Sequence, residues 1–293
     1  MLRFSLLFAL SIFLYNNGFA QKKNAKVIYT DTIAVIQDKV QQAAIEKSKK
    51  ITPINNVNLQ MDLYKKDILF CGFDEENHWQ LFIKEDSAFI FVLNTDTLVF
   101  EYTKYNQAQD ASIIRYYSKA LLGKQKRDTT KMNITITITN ERYRNENTAA
   151  DYPFKLNVSI GDHADKTSTY YSGGGFYIGN PLIHDIWVLD SIHKKPVQKE
   201  LFPNGLPRLE FHLDGGKFYG FGGCNELNGT YYFVQHQIHI NPPVTTLKLC
   251  TDMTEERNFV QLLNNKRYTY SIQNMRLKFM HKDGTVLVFK KVD

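Results

Sequence analysis

The chain has 293 residues, 43% of them hydrophobic and 23% charged, with 20 Phe and 17 Tyr. That balance excludes a disordered or fibrous chain and leaves room for about two folded domains, the aromatic surplus favouring half-buried strands. A formal charge of +6 spread over scattered lysines, with no nucleic-acid-binding motif, argues against a nucleic-acid partner, because such proteins gather their cations on one face.

The first element is a targeting segment. Arg3 precedes the apolar run Phe4–Tyr15, which is too short to span a bilayer comfortably and ends at Gly18-Phe19-Ala20. Small residues at those two positions suit a signal peptidase. We expect residues 1–20 to be removed between Ala20 and Gln21, which takes Arg3 away and leaves a charge of +5. The expected location is the periplasm or cell envelope, with release from the cell as the other destination. No Cys lies near the cleavage point to carry a lipid anchor, and no later stretch is apolar enough to cross a membrane.

Residues 21–65 read as a leader. Ile33, Ile36, Val40 and Ala44 fall near helical spacing ahead of a lysine-rich end, so a helix or a partly ordered segment is expected, with a plain linker as the alternative. From residue 66 the pattern becomes strand-like. The stretches 78–86, 87–93, 96–102, 133–140 and 154–160 are short and bounded by polar turns. Ile134, Ile136 and Ile138 alternate with Asn and Thr, as a strand with one buried face requires. An N-terminal antiparallel β domain over 66–180 follows, with junction chemistry at Gly179-Asn180-Pro181.

A second domain is expected over 184–293. Leu209–Leu213 and Phe218–Phe221 flank the turn Asp214-Gly215-Gly216-Lys217, and Arg276–Phe279 and Thr285–Phe289 flank a turn containing Gly284; both read as hairpins. One helix interrupts the strands. Asp252 and Glu255 have capping-box spacing, and Phe259, Leu262 and Leu263 give it an apolar face. The fold class is therefore mainly β: two small antiparallel domains, barrel-like or curved sheets, the C-terminal one with a single α-helix.

Within residues 184–291 several segments, taken in order, resemble the META domain family, the group that includes heat-inducible HslJ-like envelope proteins. They are Trp187-Val188-Leu189, Pro207–Phe211, Gly220-Phe221-Gly222-Gly223-Cys224-Asn225 with Gly229 and Tyr231, and Thr245-Thr246-Leu247-Lys248-Leu249-Cys250. In the last of these Lys248 and Leu249 stand where the family carries Met and Ala. Gly72–Trp79, Asp151-Tyr152-Pro153 and Gly173-Gly174-Gly175 resemble, more weakly, a domain often found upstream of META domains in exported proteins, without that domain's Pro, Phe and two later cysteines. The resemblance implies a small antiparallel β structure with a helix and ties to envelope stress, tolerance of toxic compounds and secretion. It implies no catalytic residues, cofactor or metal.

Cys224 admits three readings. A catalytic thiolate needs a base or cation beside it, and His212, His236 and His239 are the nearest candidates in sequence. A metal site needs three or four ligands, whereas His236 and His239 sit three apart in a strand and point to opposite faces. The architectural reading brings Cys224 to Cys250, either bonded or as two small buried groups, with Gly223 and Asn225 shaping the bend and Thr245 and Thr246 in the facing segment. The expected function is a non-enzymatic exported binding or scaffolding protein whose partner is an envelope protein. The alternative is a carrier holding a small apolar ligand in a barrel walled by Trp187, Phe211 or Phe221. A hydrolase or thiol enzyme would need a His nitrogen about 3–4 Å from Cys224 or a Ser oxygen.

Overall fold

The computed structural model describes residues 53–292, apart from positions 75, 77, 95, 108–111, 120–131, 147–148 and 163–166. The signal segment, the Ala20–Gln21 junction and the helical spacing of Ile33 to Ala44 lie outside the described residues. The end of the leader is a single 3-10 turn, Pro53–Asn55, and a helix, Val57–Lys65. Asn56 caps that helix by accepting from the Leu59 N–H at 3.0 Å.

The first sheet contains β1 (Ile68–Phe73), β2 (Trp79–Lys84), β3 (Ala88–Leu93), β4 (Asp96–Glu101), β5 (Asn106–Gln107), β6 (Ile113–Ser118) and β7 (Met132–Thr139). A small separate ladder, β8 (Tyr143–Arg144) with β9 (Asp151–Tyr152), precedes its last strands, β10 (Phe154–Asp162) and β11 (Thr167–Tyr177). The order is β4-β3-β2-β1-β11-β10-β7-β6-β5, so the chain returns to place β11 beside β1 and leaves two open edges. All pairs are antiparallel.

Strands β1, β2 and β3 are buried almost throughout because both faces are covered. One face joins Phe70, Leu81, Ile83, Phe89 and Phe91 to the main core. The other packs Cys71, Phe73, Phe82 and Ile90 under Leu63 of the Val57–Lys65 helix and under Tyr152. In β11, Gly175 lies against β1 so closely that a Cβ there would stand 2.7 Å from the Cys71 carbonyl and 2.4 Å from the Phe70 ring. That approach is open only to glycine. In β7 the alternation is as expected, with Ile134, Ile136 and Ile138 buried.

The second sheet comprises β12 (Ile186–Ile192), β13 (Lys195–Pro196), β14 (Arg208–His212), β15 (Lys217–Phe221), β16 (Glu226–Val234), β17 (Gln237–Ile240), β18 (Val244–Thr245), β19 (Lys266–Gln273), β20 (Arg276–Met280) and β21 (Val286–Lys291). Eight of these close into a barrel, β12-β14-β15-β16-β17-β19-β20-β21, because β21 pairs back onto β12 from Trp187↔Lys291 to Ile192↔Leu287. A register shift between Leu189 and Ser191 bends β12 at the closure. Closure removes the exposed edges that an open sheet would leave.

The barrel interior is packed with side chains. Trp187, Phe211, Phe218, Tyr268, Phe279 and Phe289 are each at most 1% exposed. The helix Thr254–Leu263 sets Phe259 and Leu263 into this core, with the Phe259 and Phe289 rings 6.4 Å apart. Clefts of 460, 540 and 790 Å³ open elsewhere, and none has Trp187, Phe211 or Phe221 in its wall. The expectation of an apolar ligand inside the barrel is therefore corrected: aromatic side chains occupy the space it needs.

The two sheets share one continuous core. Phe154 packs edge-on to Tyr232 at 5.6 Å, Gln60 donates to the Leu213 carbonyl at 3.1 Å, and the Asn180 N–H donates to the Tyr270 hydroxyl at 2.8 Å. Glu85 and His236 meet at 2.8 Å across the same seam.

Candidate functional site

The glycine-rich bend between β15 and β16 and the segment leading to the Thr254–Leu263 helix meet at one end of the barrel. Cys224 and Cys250 form a disulfide there, with their Cα atoms 6.3 Å apart and a sequence separation of 26. Cys224 in this bond has no thiolate to offer. The remaining cysteine, Cys71, is fully buried, its S–H donates toward the Phe176 carbonyl, and burial pushes the thiol well above its ordinary pKa.

The bend is organised around a buried carboxylate. Glu256 is 5% exposed, and its Oε1 accepts from the Cys224 N–H at 3.1 Å and the Asn225 N–H at 2.6 Å. Its Oε2 accepts from Asn225 Nδ2 at 2.9 Å. Two successive backbone N–H groups aimed at one oxygen form an anion-binding concavity. Here the anion is the protein's own side chain, close to a helix N-terminus that favours negative charge. The bend needs Gly223, whose φ of +119° is strained for any L side chain, and Gly222, where a Cβ would stand 2.6 Å from Glu256 Oε1.

Asn225 carries the arrangement to the facing segment. Its Oδ1 accepts from the Thr246 hydroxyl at 2.8 Å and the Lys248 N–H at 2.7 Å. Thr246 in turn accepts from the Glu226 N–H and donates its own N–H to the Glu226 carbonyl, each at 3.1 Å. Thr245 pairs with Leu227 in the β16–β18 ladder. The structure thus brings Gly223, Cys224, Asn225, Thr246 and Cys250 into one network and sets Thr245 on its flank.

What this frame turns outward is apolar. Leu247 is 95% exposed and Leu249 97% exposed, on either side of exposed Lys248. Val244 is exposed as well. Isolated surface leucines are ordinary, but two nearly bare ones anchored by backbone hydrogen bonds and a disulfide form a fixed apolar projection.

Glu256 was not singled out from the sequence. The capping box was expected between Asp252 and Glu255, and the structure corrects it: Asp252 Oδ1 accepts from the Thr254 N–H at 2.9 Å instead. Hydrogen bonds from Thr254 hold the Asp252 carboxyl below the usual carboxylate range. The signal for Glu256 was its spacing, since Glu256, Phe259 and Leu263 are the buried residues of one helix face. The three candidate histidines have partners other than Cys224. His212 pairs with Glu210 at 2.9 Å, His236 with Glu85, and His239 packs at a tilt against the Tyr232 ring, 4.8 Å between centroids. Among the described residues no group of three or more His, Cys, Asp or Glu is arranged to hold a metal ion. Asp74 and Glu76 flank His78 at 3.1 and 3.0 Å.

Residues 180–293 match the META domain family model. Three solved structures are similar to part of the chain. An NMR structure of a protein shares 18% identity, covers 37% of this chain and 89% of its own, and has a TM-score of 0.30. An NMR structure of a protein from Burkholderia xenovorans shares 15% identity over 37% of this chain and 82% of its own, with a TM-score of 0.31. A crystal structure of a DUF4847 family protein from Bacteroides vulgatus shares 16% identity over 38% of this chain and 96% of its own, with a TM-score of 0.29. No curated protein matches the chain.

Proposed function

Taking a META domain over residues 180–293 as the premise, we propose that the chain is a non-enzymatic, exported protein of the bacterial envelope that binds a partner protein in tolerance of stress or toxic compounds. The observation that carries this reading is the use of the signature residues: Gly223, Cys224, Asn225, Thr246 and Cys250 are spent on holding the backbone, and the frame they make projects Leu247 and Leu249. A fixed apolar projection loses little conformational entropy on binding, so its burial translates efficiently into affinity. Lys248 between the leucines adds charge selectivity at the rim of such a contact. A disulfide is compatible with an oxidising compartment outside the cytoplasm.

The test is genetic complementation in cells lacking the protein and challenged with a toxic compound. The native chain is expected to restore survival. The double variant Leu247→Ser, Leu249→Ser is expected to fail, although its melting temperature stays within about 1 °C of the native value, because both side chains already face water. Full rescue by the double variant would exclude the loop as the contact. Turnover of a substrate that disappears with Cys224→Ser would exclude the non-enzymatic reading.

A further inference from the structure

The 460 Å³ cleft at the seam of the two sheets is separate from the signature corner and has a consistent chemistry. Its inner wall is apolar, formed by Ile114 and Ile138 of β6 and β7, Phe154 of β10 and Val234 of β16. Arg267 supplies the cationic group of the rim, His236 beside it is engaged by Glu85 at 2.8 Å, and no carboxylate is among the lining residues. Asn140 and Thr269 add neutral polar groups beside them.

Arg267 is half-buried on β19, and among the described residues no carboxylate pairs with it. Its charge acts on the Tyr232 hydroxyl and offsets part of what burial does to it, while that hydroxyl donates to Asn140 Oδ1 at 3.5 Å across the seam. That leaves most of a five-donor fork for something else. His239, opposite Arg267 in the β17–β19 ladder, senses the uncompensated charge: burial first, and then Arg267, hold its imidazole below the ordinary pKa. A half-buried cation beside an apolar wall is the arrangement that recognises an anion carrying an apolar body.

We propose that this cleft binds a small organic carboxylate, with the carboxylate on Arg267 and the apolar body on Ile114, Ile138, Phe154 and Val234. Its volume lies in the range of about 300–1,000 Å³ typical of small-molecule sites. The ligand lies between the sheets, outside the filled barrel and away from Leu247 and Leu249, so this site stands or falls independently of the loop.

Calorimetric titration of the full chain with sodium octanoate tests the assignment, with octanol, octylamine and inorganic phosphate as comparison probes. Octanoate is expected to saturate one site per chain, while the other three give no saturable heat. Arg267→Gln removes the charge but keeps a polar side chain of comparable reach, and it is expected to weaken octanoate binding by about tenfold or more. Thr269→Glu, on an exposed position two residues along the same strand face, is expected to do the same by repelling the carboxylate while leaving Arg267 in place. Melting temperatures of both variants show that each is folded. Absence of saturable octanoate binding in the native chain would overturn the proposal, as would equal affinity in the native chain and both folded variants. Phosphate binding as tightly as octanoate would overturn the role of the apolar wall.

Discussion

Replacing Glu256 by Ala is expected to lower the melting temperature by roughly 10 °C, corresponding to a loss of about 3–5 kcal/mol. The substitution strands two buried backbone donors, the N–H groups of Cys224 and Asn225, and leaves Asn225 Nδ2 only its longer bond to the Lys248 carbonyl at 3.4 Å. Each unsatisfied buried donor costs about 1–3 kcal/mol. Glu256→Gln separates the charge from the geometry. Its carbonyl oxygen can still accept from both N–H groups, but its amide nitrogen then faces Asn225 Nδ2, a second donor. Asn225 cannot turn over to relieve this, because its Oδ1 already accepts from Thr246 and Lys248. The Gln variant is therefore expected to lose about 1–3 kcal/mol, less than Ala but well above a neutral surface change. Thermal unfolding of the three proteins checks the ranking. A fall of less than about 3 °C for Ala would contradict the account of the bend.

Removal of the Cys224–Cys250 bond is the second large effect. Cross-linking a ring of this length restricts the unfolded chain by about 3–4 kcal/mol in the chain-entropy treatment. Cys224→Ala and Cys250→Ala are each expected to lower the melting temperature by several degrees. The double variant is expected to be no worse than about the larger single one, because one bond is lost in every case. Reductant should destabilise the native chain and leave the double variant unchanged. Thiol titration of denatured, unreduced protein should find one free thiol, Cys71, rising to three on reduction. Three free thiols without reduction would show that the bond does not form.

The sequence made the local elements readable, for reasons these residues make plain. In β7 the alternation of Ile134, Ile136 and Ile138 is a two-residue period that only a strand satisfies. The β14–β15 and β20–β21 hairpins announce themselves through Gly-containing turns. The glycine–cysteine motif was recognisable because its residues cluster in two short segments. Features that depend on distant pairing were not legible. Nothing near Trp187 or Lys291 indicates that they become partners, yet that pairing closes the barrel. The return of β11 beside β1 is likewise a matter of topology, visible only afterwards in the close contact of Gly175 with Phe70. Glu256 was hidden by its type, since an acidic residue in the first turn of a helix normally faces water. Arg267 was one charge among many until Tyr232 and the seam surrounded it.

The central claim is that the signature corner is a frame that fixes the Leu247-Lys248-Leu249 projection. Amide hydrogen exchange on the native chain tests it most directly. The Lys248 N–H lies in an exposed segment outside any strand, yet it donates to Asn225 Oδ1 at 2.7 Å. The account predicts strong protection at Lys248, lost on Glu256→Ala, beside rapid exchange at Leu247 and Leu249. Exchange at Lys248 as fast as at its two neighbours would contradict it.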